Sequence, residues 1–144
     1  MSLLTKISAL SKEIELNRNS IFVVEGLLDK KALEGLGFDN ILDISGKSLH
    51  EVVQSIPEKF NSATILSDFD EEGETIAGHL GKSLEAKGIY VNFNFRKKIH
   101  SLFGVRHIED LNSFVKFKEL YDSGSGGLVD KLFNQSRFRK QNST

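Results

Sequence analysis

Two short acidic segments hold the residue types that could do chemistry: Val23-Val24-Glu25-Gly26 and Ser67-Asp68-Phe69-Asp70-Glu71-Glu72-Gly73-Glu74. Each follows an apolar run, Ile21-Phe22-Val23-Val24 before the first and Ala63-Thr64-Ile65-Leu66 before the second. Apolar, β-branched runs of this length without alternation read as strands buried on both faces, as in a parallel sheet. In an open α/β sheet the functional crevice lies beyond the carboxyl ends of the strands. Glu25, Asp68, Asp70 and Glu74 are therefore expected together at one edge. Crowded carboxylates repel one another unless a cation neutralises them, and hard oxygen donors suit Mg²⁺ or Mn²⁺. The expected site is metal-dependent, with chemistry on phosphates.

The elements that would position these groups follow from the apolar pattern. Leu3, Ile7, Leu10 and Ile14 mark an amphipathic N-terminal helix within residues 1–19, packing on the rest of the domain. The first strand, about 21–25, leads into a helix over about 28–36, which Gly37 stops. Ile41-Leu42-Asp43-Ile44 is a second strand. Ser48-Leu49-His50-Glu51 then has the form of a capping box, and the helix it opens ends at Pro57. A third strand at 63–67 precedes a helix that closes at Gly88, and a fourth strand is expected from Ile89 to Phe95. A last helix covers about 108–121. Strand alternating with helix implies an α/β fold: a mainly parallel, about four-stranded sheet with right-handed crossovers, flanked by helices. The core domain is expected over residues 20–122, and 123–144 as a flexible linker with a short basic tail.

Either acidic segment has an ordinary explanation when taken alone. Asp before a helix is a preferred N-cap, and Glu in the first turn offsets the helix dipole. Gly26 after Glu25 fits a tight turn. Together, a glutamate closing one core strand and an Asp-x-Asp closing another exceed what capping requires. The pair resembles the signature of the Toprim domain, shared by bacterial-type primases, topoisomerases, recombination-repair proteins, OLD-type nucleases and a ribosomal-RNA maturase. That signature is Val-x-Glu-Gly-x-x-Asp after the first strand and Asp-x-Asp-x-x-Gly after a later one. Here it reads Val23-Val24-Glu25-Gly26-Leu27-Leu28-Asp29 and Asp68-Phe69-Asp70-Glu71-Glu72-Gly73, with Gly46 after the second strand. The resemblance spans about residues 20–95, and the whole chain is similar to small stand-alone, primase-like Toprim proteins.

The resemblance implies a Toprim-type, Rossmann-like fold. It implies Mg²⁺ (or Mn²⁺) held by Asp68 and Asp70 with help from Glu74, and Glu25 as general acid or base or as a further ligand. Like charges at a partly buried edge should raise the pKa of Glu25 toward a useful value. Asp29 serves local hydrogen bonds or the metal; Gly26, Gly46 and Gly73 shape the loops. Lys47, Arg96, Lys97, Lys98 and Arg106 are candidates to grip a nucleic-acid backbone. Ser45-Gly46-Lys47-Ser48 resembles the end of a P-loop, but the first glycine of that motif would fall on Ile41, so that reading is set aside. His50, His79, His100 and His107 lack paired ligand spacing and read as structural or surface residues.

Bulk properties are those of an ordinary globular domain: 144 residues, 39% hydrophobic, 27% charged, net charge −1. The absence of cysteine excludes disulfides and thiolate metal sites. No apolar stretch is long enough for a membrane span and no signal-peptide layout is visible, so a cytoplasmic location is expected. Basic residues gather at Arg96-Lys97-Lys98 and at Arg137-Phe138-Arg139-Lys140, opposite in sign to the acidic edge. The function these features favour is nuclease-like cleavage or processing of RNA or DNA, because hydrolysis demands least beyond the domain itself. A metal-binding accessory protein without turnover is the alternative, and a phosphotransferase a third. The sequence leaves the oligomeric state open and allows for a protein partner.

Overall fold

The computed structural model describes residues 1–142, with side chains through residue 137. Its elements are α1 (Leu3–Leu16), β1 (Ile21–Val24), α2 (Leu27–Gly35), β2 (Ile41–Asp43), α3 (Leu49–Ser55), β3 (Ser62–Ile65), α4 (Glu71–Ala86), β4 (Tyr90–Asn92), α5 (Asn94–Phe103), α6 (Val115–Asp122) and α7 (Val129–Asn142). Short 3₁₀ helices at Ile108–Phe114 and Gly126–Leu128 precede α6 and α7.

The four strands form one parallel sheet in the order β2-β1-β3-β4. Val23 of β1 pairs with Leu42 on one side and Ile65 on the other, so β1 and β3 lie side by side at the centre. Successive side chains of a strand point to opposite faces. Ile21 and Val23 accordingly join Val52, Ile56, Leu80 and Leu84 under α3 and α4. Phe22 and Val24 instead join Leu33 and Leu36 of α2, Phe95 and Ile99 of α5, and Leu10 of α1. Both faces are covered, which is why the strands read as continuous apolar runs rather than alternating ones.

Two sequence expectations change. The fourth strand stops at Asn92, because the Asn92 Oδ1 accepts the N–H groups of Asn94 and Phe95 at 2.9 and 3.2 Å and starts α5. Aromatic spacing over 90–95 imitated a strand, whereas Phe95 is buried from a helix. The basic triplet Arg96-Lys97-Lys98 therefore sits on α5.

The second change is at the C-terminal end, where the expected linker and tail form a 3₁₀ turn and α7. Val129 is fully buried with Leu3, Ile7 and Phe117, and the Asp130 carboxylate accepts the Leu4 N–H at the start of α1. Gly126 allows the close passage, since a Cβ there would sit 3.3 Å from Leu4 Cδ1. The side chains of Arg139 and Lys140 lie outside the described residues.

Candidate metal centre

The carboxyl ends of β1 and β3 are joined by a side chain. The ladder's last backbone rung is the Leu66 N–H to the Val23 carbonyl at 2.8 Å. The next rung is made by Glu25, whose Oε2 accepts the Asp68 N–H at 2.6 Å. Burial pushes the Glu25 carboxyl above its ordinary value; the hydrogen bond from Asp68 opposes this, and the charges of Asp68, Asp70 and Glu72 reinforce it.

Asp68 is held from the other side. Its Oδ1 accepts the Ile108 N–H at 2.9 Å, and its Oδ2 lies 3.3 Å from His107 Nδ1. Asp70 is the N-cap of α4, with Oδ1 accepting the Gly73 N–H at 2.7 Å. One oxygen of each aspartate is thus fixed by a backbone amide, which orients the other. Gly73 is required by contact: a Cβ there would fall 1.8 Å from the Asp68 carbonyl oxygen. The Ser67 hydroxyl completes this turn by donating to the Gly73 carbonyl at 2.7 Å.

One carboxylate oxygen each from Asp68 and Asp70 and a ring nitrogen of His107 lie within 4.8 Å of one another, all half-buried. Two anionic oxygens and an imidazole converging on one point are a donor set that fits a divalent cation. The hydrogen bond between His107 and Asp68 raises the pKa of the imidazole. No spacing in the sequence marks His107. It reaches the site because the loop before the 3₁₀ helix docks on the acidic segment, with the Phe69 N–H donating to the Arg106 carbonyl at 2.7 Å.

The other candidates fall in different places. Asp29 is buried and spends both oxygens on backbone, Oδ2 accepting the Gly26 N–H and Oδ1 the Glu109 N–H, each at 3.1 Å. It ties the start of α2 to the 3₁₀ helix, and burial together with the charge of Asp68 pushes its pKa up to about 6. Glu74 pairs with Arg96 Nη1 at 2.5 Å and is not among the converging groups of Asp68, Asp70 and His107.

Arg96 itself is only 6% exposed and bonds the Ser67 and Asp68 carbonyls, so it is an internal group rather than a free surface cation. Lys98 is engaged by Glu13 of α1 at 2.6 Å, and Lys97 is exposed on α5. Lys47 is exposed on the loop after β2, beyond Gly46, whose φ of +74° a side chain would resist. Arg106 is exposed next to His107.

A parallel sheet ending in Glu25 and Asp68-x-Asp70 defines a class, and the comparisons agree. The Toprim domain matches residues 20–102, and the chain belongs to the Toprim family. Membership makes metal-dependent, nucleic-acid-related function the family-level assignment. The chain is 32% identical over 106 residues to a UPF0292 protein of Thermococcus sibiricus, covering 71% of this chain and 83% of the relative. It is 30% identical over 97 residues to a UPF0292 protein of Methanocaldococcus jannaschii, covering 65% and 76%. A solved structure of a protein from Aquifex aeolicus superposes with a TM-score of 0.63 at 33% identity, covering 76% of this chain and 98% of that one. The Toprim match includes Glu25, Asp68, Asp70 and Arg96 and stops before His107.

Proposed function

We propose that this protein is a metal-dependent phosphodiesterase that cleaves or processes nucleic acid. The observation that supports this best is the cluster of Asp68, Asp70 and His107 beside a glutamate whose pKa is raised. Asp68 and Asp70 would hold the cation with His107, and a bound cation would polarise a phosphoryl oxygen and stabilise the leaving alkoxide. Glu25 is the proton-transfer group. Its Oε2 is fixed on the Asp68 N–H, which leaves Oε1 to take or give a proton, and its raised pKa brings it closer to neutral pH. The imidazole makes the donor set less purely oxygen-based, so Mn²⁺ should serve at least as well as Mg²⁺.

The substrate side is thinner. Lys47 and Arg106 are exposed at this edge, but so are Glu71, Glu72, Glu109 and Asp110. That acidic rim favours the second reading, a metal-dependent accessory protein that meets nucleic acid together with a protein partner. Among the described residues no helix is long and apolar enough to cross a membrane.

A panel of structured RNA, single-stranded DNA and duplex DNA with Mn²⁺ or Mg²⁺ decides between them. Cleavage that EDTA abolishes, and that Glu25→Gln and Asp68→Asn/Asp70→Asn both lose, supports the phosphodiesterase. Metal-dependent binding without cleavage, retained in Glu25→Gln, supports the accessory protein.

A further inference from the structure

We propose that Arg96 is the positioning residue of the metal centre, holding the backbone from which Asp68 and Asp70 project. Beyond Leu66 the acidic segment leaves the sheet ladder, and its amides find other acceptors: the Glu25 carboxylate for Asp68 and the Arg106 carbonyl for Phe69. The carbonyls are served by Arg96. Its Nε donates to the Ser67 carbonyl at 2.9 Å and its Nη2 to the Asp68 carbonyl. The guanidinium also lies over the Phe69 ring, 4.9 Å from its centroid, and His100, one turn further along α5, stacks on the same ring at 4.7 Å. Three consecutive residues of the segment, Ser67, Asp68 and Phe69, are gripped by one face of one helix.

The third nitrogen, Nη1, donates to Glu74, which compensates the charge of a buried guanidinium. Glu74 therefore acts through Arg96 rather than on a cation. Only a planar fork spans two carbonyls and a carboxylate at once beside an aromatic ring; an ammonium cannot. Ser67 is 1% exposed, so its carbonyl would be left buried and unpaired without the guanidinium.

This assignment rests on the metal-binding reading of Asp68, Asp70 and His107, and it makes a prediction opposite in sign to simple electrostatics. A cation near a cation site weakens metal binding by repulsion, so deleting its charge alone should tighten binding. If Arg96 acts by position, deletion loosens it.

The test is the Mn²⁺ dissociation constant, followed by electron paramagnetic resonance, alongside thermal melts. The proteins are wild type, Arg96→Lys, Arg96→Met, Phe69→Leu and, as a remote destabilised control, Val129→Ala in the cluster under α7. Groups that orient metal ligands typically change affinity about 10–100-fold when removed. Arg96→Lys should bind about tenfold more weakly despite keeping its charge. Arg96→Met should lose more, Phe69→Leu should lose a smaller factor, and Val129→Ala should bind as wild type while melting earlier. Arg96 variants that bind as tightly as wild type, or more tightly, overturn the proposal. If those variants do not fold, Phe69→Leu with unaltered affinity does the same. Wild type that binds no Mn²⁺ removes the metal reading and this one together, whereas normal wild-type binding with unaffected variants removes this one alone.

Discussion

The Glu25 carboxylate accepts the Asp68 N–H at 2.6 Å, so the glutamate that ends β1 fixes the aspartate that ends β3. One side chain thereby serves both the sheet and the site. Glu25→Gln separates the two roles, because the amide oxygen still accepts from Asp68 while the proton-transfer capacity is gone. Cleavage should fall about 10²–10⁴-fold, and removing a partly buried like charge should leave the melting temperature equal or higher. Single-turnover rates and a thermal melt on the same preparation check this. Loss of Mn²⁺ affinity in this variant would instead make Glu25 a ligand.

In the proposed donor set, His107 should govern which metal the site prefers. Imidazole is a better ligand for Mn²⁺ and later transition metals than for Mg²⁺, so His107→Ala should weaken Mn²⁺ binding more than Mg²⁺ binding, with a loss of about tenfold or more for Mn²⁺. A ligand histidine must be deprotonated. Because the hydrogen bond to Asp68 raises the His107 pKa, wild-type Mn²⁺ affinity should begin to fall, as pH drops, above the ordinary histidine value. Titrations at a series of pH values should show that fall in wild type and flatten it in His107→Ala. Equal losses for both metals would remove His107 from the donor set.

The apolar strands and their acidic ends made the fold and the convergence of Glu25, Asp68 and Asp70 at one edge readable in advance, because a parallel sheet places strand ends together whatever its loops do. His107 and Arg96 were not readable in that way. Both enter the site from beyond the fourth strand, and the docking that carries them, Phe69 on Arg106 and Arg96 on Ser67, is tertiary. Arg96 in particular looked like part of a basic surface run, since a triplet of cations carries no sign of which member turns inward. The start of α5 was masked by Asn92, whose side chain caps a helix where aromatic residues suggested continued strand. At the other end, few apolar residues in α7 made its helix look like a tail until Val129 and Asp130 found partners on α1 and α6.

Asp29 gives the fold a pH dependence of unusual sign. Its pKa in the folded protein is pushed up to about 6 from 3.8. The folded state therefore binds the proton more tightly than the unfolded chain, and this contribution to stability is fully present below pH 3.8 and lost as pH rises through about 6. Asp29→Asn removes the titration but also one acceptor for the Gly26 or Glu109 N–H. Its melting temperature relative to wild type should thus be lowest near pH 4 and improve by roughly a few °C toward pH 7. Melts of both proteins across that range check the sign. A difference that stays constant with pH would mean that Asp29 is ionised throughout.

Gly73 tests how closely the α4 turn must approach the segment that carries Asp68 and Asp70. The Cβ of an alanine there would sit 1.8 Å from the Asp68 carbonyl oxygen, with the Asp68 carbonyl carbon at 2.7 Å. Backbone, not a flexible side chain, is in the way, so the turn must open. Opening it pulls the Gly73 amide from Asp70 Oδ1 and the Gly73 carbonyl from the Ser67 hydroxyl, two bonds that aim the second aspartate. Gly73→Ala is expected to cost about 1–3 kcal/mol of stability, the usual range for an overpacked site, and to weaken Mn²⁺ binding as well. Gly78, one turn and a half along the same helix, has open space where its Cβ would stand. Gly78→Ala should therefore be neutral or stabilising, by up to about 1 kcal/mol from helix propensity, with Mn²⁺ affinity unchanged. Denaturant melts and metal titrations of the two variants side by side decide the matter. If Gly73→Ala behaves like Gly78→Ala, the tight turn does not govern the geometry of Asp70.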